Sequence, residues 1–184
     1  MKAITLTAPY SWLVAASLKK YETRGWSTPH RGPLAIHTAK GLGPVGGERG
    51  LLELCERPWF REALFLLGIF DPLKQPRGVI VAVVNLVDCR YMVENETQLA
   101  NMRNNPMLIT DDPTELAFGL WKVGRFAWKL TKVHKFDEPI PAKGAQSIWN
   151  WTPPVDHSLL SPAVQPTAVD VSRSIAARKP ASFT

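Results

Sequence analysis

Lys19-Lys20-Tyr21-Glu22-Thr23-Arg24-Gly25-Trp26 is the stretch in which the periodicity of the chain changes. Upstream, Tyr10 to Lys20 follows a helical repeat: Leu13, Val14, Ser17 and Leu18 form one stripe, and Trp12, Ala16 and Lys19 a second. Thr7-Ala8-Pro9 supplies a cap and a proline where a first helical turn tolerates one, and Met1 to Leu6 alternates as a strand. From Lys20 onward the repeat is two, so Lys20, Glu22, Arg24 and Trp26 share one face while Tyr21 and Thr23 take the other. A turn at Pro29 to Pro33 leads to a strand over Leu34 to Ala39, with Leu34, Ile36 and Thr38 on one side and Ala35, His37 and Ala39 on the other. The octet therefore joins a helix to a strand and gathers charge and an aromatic ring on one face.

Downstream, the glycine-rich stretch Gly41 to Gly50 reads as an irregular loop, and Leu51 to Gly68 as a helix in two pieces around Pro58. Gly78 to Asp88 is a continuous β-branched run, which predicts a central strand buried on both faces. Tyr91 to Pro113 is polar and weakly patterned, with an exposed loop expected at Asn101 to Pro106. Phe126 to Lys135 alternates as a strand, Asp137 to Gly144 reads as a loop, and Gln146 to Trp151 as a short terminal element. Residues 153–184 are proline-rich and nearly free of large apolar groups, too few to offset ordering entropy, and are expected to be a flexible tail. Residues 1–152 are expected to be one domain. Five or six short strands with one N-terminal helix and a helical insertion predict an α+β fold, a small mixed β-barrel rather than a doubly wound sheet.

The chain has 184 residues, a formal net charge of +6, and 45% hydrophobic residues. Its longest apolar runs are about half a membrane span, and no secretory signal pattern opens it, so a soluble, cytoplasmic protein without membrane partners is expected. Cys55 and Cys89, with four isolated histidines, form no metal-ligand spacing; neither a metal nor a cofactor is expected. The positive charge is clustered. Lys19, Lys20, Arg24, Arg31 and Lys40 face only Glu22 in residues 19–40, and Lys122, Arg125, Lys129, Lys132 and Lys135 lie together without an acid. Trp26, Trp121, Phe126 and Trp128 interleave with them, the pattern of phosphate neutralisation plus base stacking, although basic strands on a charged exterior look alike in sequence.

Two motif spacings carry a family resemblance. Lys19-x-x-Glu22-x-Arg24 and Gly32-x-x-x-Ile36-His37, with Gly144-x-Gln146-x-x-Trp149 near the end, resemble the ASCH (activating signal cointegrator homology) domain, of the PUA-like superfamily. The likeness covers roughly residues 1–152, except residues 42–76 and 92–115. It implies a PUA-like barrel with a cleft beside the N-terminal helix, and a role in binding RNA, nucleotides or a modified nucleoside. Some relatives are amide hydrolases acting on acylated cytidine through a lysine, a threonine and a glutamate, and others are ribonucleases. The lysine falls on Lys19, but the threonine position holds Glu22. Shifting the frame to Lys20-x-x-Thr23 restores a threonine and loses the arginine spacing, so the hydrolase nucleophile does not carry over.

The expected binding residues are Ser11, Trp12, Lys19, Glu22, Arg24, Trp26, His37, Lys40, Gln146 and Trp149. Lys19, Arg24 and Lys40 suit phosphate, Trp12 and Trp26 suit stacking, and Glu22, Gln146 and Ser11 suit a base edge. Against this stand a plain Glu22–Arg24 ion pair across a strand and tryptophans that simply pack the core. The alternative function is a hydrolase in which Lys19 and Glu22 activate water; Ser147 could deliver a hydroxyl from the Lys143-Gly144 loop. A second alternative is a protein-interaction adaptor acting through the proline-rich tail, with partners unknown.

Overall fold

The computed structural model describes residues 1–103 and 105–154. The expected tail therefore lies almost wholly outside the described residues. Among the described residues seven strands and five α-helices follow the order β1 (Lys2–Leu6), α1 (Tyr10–Ala15), β2 (Tyr21–Arg24), β3 (Gly32–Thr38), α2 (Gly47–Cys55), α3 (Pro58–Leu66), β4 (Val79–Val93), α4 (Glu96–Asn101), β5 (Pro106–Leu108), α5 (Pro113–Phe118), β6 (Phe126–Pro141) and β7 (Ile148–Asn150). The fold is mixed α+β, with all seven strands in one sheet. Among the described residues no helix is long and apolar enough to cross a membrane.

The sheet runs β2-β6-β4-β3-β1-β7, with β5 added beside β4. β1 pairs parallel with β3, and β4 pairs antiparallel with both β3 and β6. β4 is the expected central strand, and it is buried on both sides. On one face Leu34, Ile36, Val84, Leu86, Trp128 and Leu130 pack against Val14 and Ala15 of α1. On the other, Ala3, Ala35 and Ile80 meet Phe136 and Trp151. Burying such side chains is worth about 1.5–3 kcal/mol each, which anchors the strands that carry the site.

The expected barrel is not closed. The outermost strands, β2 and β7, share no ladder. A side chain bridges from β2 instead: Arg24 Nη2 donates to Thr5 O on β1 at 3.0 Å. That carbonyl lies one residue past the β1–β7 pairing, which ends at Ile4 and Ile148.

Other departures have local causes. α1 stops at Ala15 rather than Lys20 because Ser17 adopts φ 60°, and the amides of Leu18 and Lys19 both fold back onto Leu13 O. The segment Tyr91 to Pro113, read as weakly patterned, contains the end of β4, α4 and β5. The Asn95 side chain caps α4 by accepting from Gln98 N at 3.0 Å. The glycine-rich loop holds a short 3-10 turn, Gly43–Val45, and the start of α2. β6 runs on through Pro141, past the expected loop start at Asp137. Its far half pairs only with β4, so Pro139 and Pro141 leave no second ladder short of a donor.

Candidate nucleotide-binding cleft

The turn after α1 buries a lysine. Lys19 is 1% exposed, with Nζ 3.7 Å from Glu22 Oε2 and 6.0 Å from the centre of the Tyr10 ring. The distance to Glu22 makes a charge contact rather than a hydrogen bond, and Nζ has no hydrogen-bond partner among the described residues. Glu22 Oε1 pairs with Arg24 Nε at 2.9 Å, as period two on β2 requires. Burial lowers the Lys19 pKa, and the carboxylates of Glu22 and Glu115 oppose that shift.

Sequence reasoning missed Glu115. It is held on α5 by an Asp112 cap and buried to 2% exposure. Its carboxylate accepts the amides of Lys20 at 2.6 Å and Tyr21 at 3.3 Å, fastening α5 to the turn that bears Lys19. Burial raises the Glu115 pKa, against the pull of these amides and of Lys19. Asp112-Pro113-Thr114-Glu115 is a helix-start pattern, the one signal that could have drawn attention to it.

On the other side of Thr5 lies an open cleft of about 810 Å³. Thr5 and His37 form its floor, Lys40, Arg77 and Gly78 one rim, and the Pro141 to Gln146 segment the opposite wall. Neither Lys40, Arg77 nor Lys143 belongs to any ion pair or hydrogen bond among the described residues. Gly144 is required by close approach. A Cβ there would overlap the His37 ring, 2.5 Å from Nδ1 and 3.0 Å from Thr5 Oγ1. Gly78 meets the Lys40 stem at φ 70°.

Of the expected residues, His37, Lys40 and Gln146 meet in this cleft. Trp149 borders it, donating from Nε1 to Thr5 Oγ1 at 3.1 Å and standing edge-on to His37. Lys19, Glu22 and Arg24 form a separate cluster, joined to the cleft floor through the Arg24–Thr5 bond. Ser11 and Trp12 go elsewhere. Ser11 is buried and accepts from Thr38 Oγ1 at 2.9 Å, and Trp12 packs under the helical insertion with Leu42, Leu51, Cys55 and Leu64. Trp26 is half-buried against Trp128, 4.6 Å between ring centres. The cleft runs beside the start of β4 and not beside α1; what α1 borders is a smaller hollow of about 310 Å³. Ser147, with φ 58°, does not line the cleft. Arg77 and Lys143 went unnoticed as binding residues, and the glycine beside each, Gly78 and Gly144, was their only mark.

The ASCH domain family model matches residues 4–140, about three quarters of the chain. The chain belongs to the ASCH domain family. A search of curated proteins found no significant match. The matched span takes in the Lys19–Glu22–Arg24 cluster, Glu115, and the rim residues Lys40 and Arg77, and stops just before the Lys143-Gly144 wall.

Proposed function

We propose that this ASCH domain binds RNA, or a nucleotide or modified nucleoside, in the cleft floored by Thr5 and His37. The observation that carries the reading is the set of three uncommitted cations, Lys40, Arg77 and Lys143, around one concave site of about 810 Å³. A volume of that order suits a small organic ligand, and cations without internal partners keep their charge for an anion. The family's association with RNA agrees with it. Gln146 at the mouth and the Trp149 ring beside the floor offer an amide for a base edge and an aromatic surface near it. The folded unit is inferred to be a PUA-like domain ending near residue 152, supported by the Trp151 N to Met1 O bond of 2.8 Å, which continues the β1–β7 pairing to the first residue of the chain.

The test is titration of a fluorescent single-stranded oligoribonucleotide at two salt concentrations. Wild-type binding should weaken with salt, and Arg77→Ala or Lys143→Ala should each lower the salt slope by about one. Unchanged affinity and slope in the Lys40, Arg77 and Lys143 triple alanine variant would rule the cleft out.

A second reading, hydrolysis of an acylated nucleoside by Lys19 and Glu22, has one observation in its favour. Burial lowers the Lys19 pKa toward the range of a general base, beside a carboxylate that could orient water. Lys19, Glu22 and Arg24 do not line the cleft, so this chemistry would use a site apart from it. Chromatographic assay of acylated cytidines separates the readings: product formation that disappears in Glu22→Gln supports hydrolysis, and absence of product from every substrate discards it.

A further inference from the structure

The polar groups around His37 can all be paired within the protein only if the ring carries two protons. His37 Nε2 lies 3.1 Å from Ala142 O, and a carbonyl can only accept, so Nε2 must carry a proton. His37 Nδ1 lies 3.2 Å from Thr5 Oγ1. That hydroxyl has one proton and two lone pairs. It accepts from Trp149 Nε1 at 3.1 Å and lies 2.9 Å from Ala145 O, another pure acceptor. If Thr5 donates to Ala145 O, Nδ1 must be a donor too, and the ring is an imidazolium. If the ring is neutral, Thr5 must give its proton to Nδ1, and the exposed Ala145 O exchanges its Thr5 donor for water, which releases the wall from the floor.

Charge around the ring points the same way once an anion is present. The charged groups lining the cleft are Lys40, Arg77 and Lys143, with no carboxylate among them; across the sheet His37 is paired with Ile80, and β1 and β7 present Thr5 and Trp149. Among the described residues no acid answers a charge on His37, and its burial at 2% exposure lowers its pKa, outweighing the Ala142 carbonyl.

We propose that the cleft takes a terminal phosphate, the phosphomonoester end of a nucleotide or RNA, and that binding it protonates His37 beneath the ligand. Three rim cations and an induced fourth exceed what a singly charged phosphodiester calls for, whereas a phosphomonoester carries about −1.5 to −2 at neutral pH. The balance is simple. One proton enters from solvent at His37 Nδ1, the Thr5 hydroxyl proton turns from Nδ1 to Ala145 O, and no other bond changes. The carbonyls of Ala142 and Ala145 are then both held, which fastens the Gly144 wall over the floor. His37 is a positioning residue, since both ring nitrogens are spent on the protein. The inference rests on the nucleotide-binding reading of this cleft.

Calorimetric titration of the full chain with a short oligoribonucleotide, with and without a 5′-phosphate, in buffers of different ionisation heat, counts the protons taken up. Nitrogen NMR of the imidazole reads His37 directly. The phosphorylated probe should draw in about one proton near neutral pH, weaken roughly tenfold per pH unit above that window, and leave His37 with two N–H groups. His37→Gln should abolish the uptake, leaving only the phosphate's own ionisation, which acts in the opposite direction. Binding of both probes with no uptake and a neutral His37 would overturn the proposal and leave the RNA reading standing. If neither RNA binds but inorganic pyrophosphate still protonates His37, the RNA reading falls and the proton-coupled phosphate site survives. No response to any of the three overturns both.

Discussion

Two clusters of cations flank Thr5, and they are treated in opposite ways. Lys19 and Arg24 are answered by Glu22 and Glu115 and largely withdrawn from water, Lys19 completely so. Lys40, Arg77 and Lys143 are answered by nothing within the described chain and stand around an open cleft. The two even share a strand residue: Thr5 gives its carbonyl to Arg24 and its hydroxyl to the cleft floor. The difference teaches where the chain spends charge on its own fold and where it holds charge in reserve. A buried ion cluster punishes loss of a member, because the remaining charge is stranded; exposed unpaired cations cost the fold almost nothing to remove.

The strongest break in that contrast should come from Glu115→Ala. It strands Lys19 with Glu22 alone and leaves the amides of Lys20 and Tyr21 without their acceptor, so a loss of about 3–5 kcal/mol in denaturant unfolding is expected. Glu115→Gln keeps an acceptor and should lose less. If Glu115→Ala unfolds like wild type, the buried cluster is not what binds α5 to the sheet.

Gly144→Ala should come next, and it acts on the cleft side. The added methyl has no room beside the His37 ring and Thr5 Oγ1, so wall and floor must separate. A cost of about 1–3 kcal/mol in stability is expected, with a larger loss of oligonucleotide affinity than any single rim cation produces. Arg77→Ala and Lys143→Ala should lie at the far end of the stability scale, within about 0.5 kcal/mol of wild type by thermal denaturation, while weakening RNA binding. Stability and binding would thus sort the residues on the two sides of Thr5 into two classes. A large stability loss on removing a rim cation would erase the distinction.

The sequence carried the first cluster more openly than the second. Lys19, Glu22 and Arg24 lie within six residues, and period two alone puts Glu22 beside Arg24, as the 2.9 Å pair shows. β4 was equally legible, because a strand buried on both faces has to be apolar without alternation. The cleft is assembled from residues 5, 37, 39–40, 77–78 and 141–146, which meet only through the parallel β1–β3 pairing and the β3–β4–β6 ladders. Such long-range register leaves no local periodicity. Of the residues lining the cleft, only His37 on β3, Lys40 just after that strand and Gln146 in the terminal loop were among the expected binding residues. Trp12 lies apart from the cleft for a related reason: the helical insertion that covers it comes 30 and more residues later, so one exposed-looking helix stripe became core. β6 was cut short because Asp-Glu-Pro-Ile-Pro has loop composition, and only its single-sided pairing makes the prolines harmless.

The effect confined to the narrowest conditions, an acid pH window, joins the two sides of the comparison. With the cleft empty, burial lowers the His37 pKa below its ordinary value, so the folded chain binds fewer protons there than the unfolded chain does. The contribution of neutral His37 is therefore complete above its unfolded pKa of about 6.5 and is lost as pH falls through that value toward the lower folded one. Removing the ring should remove that dependence. Over this acid window His37→Gln should lose less stability than wild type, by about 1 kcal/mol or less, in paired denaturation series across pH. The neighbouring cluster is the same in both chains, so the difference between the two series isolates His37. Parallel series would mean that burial of the ring costs its charge nothing, and that the cleft floor is as well prepared for a cation when empty as when filled.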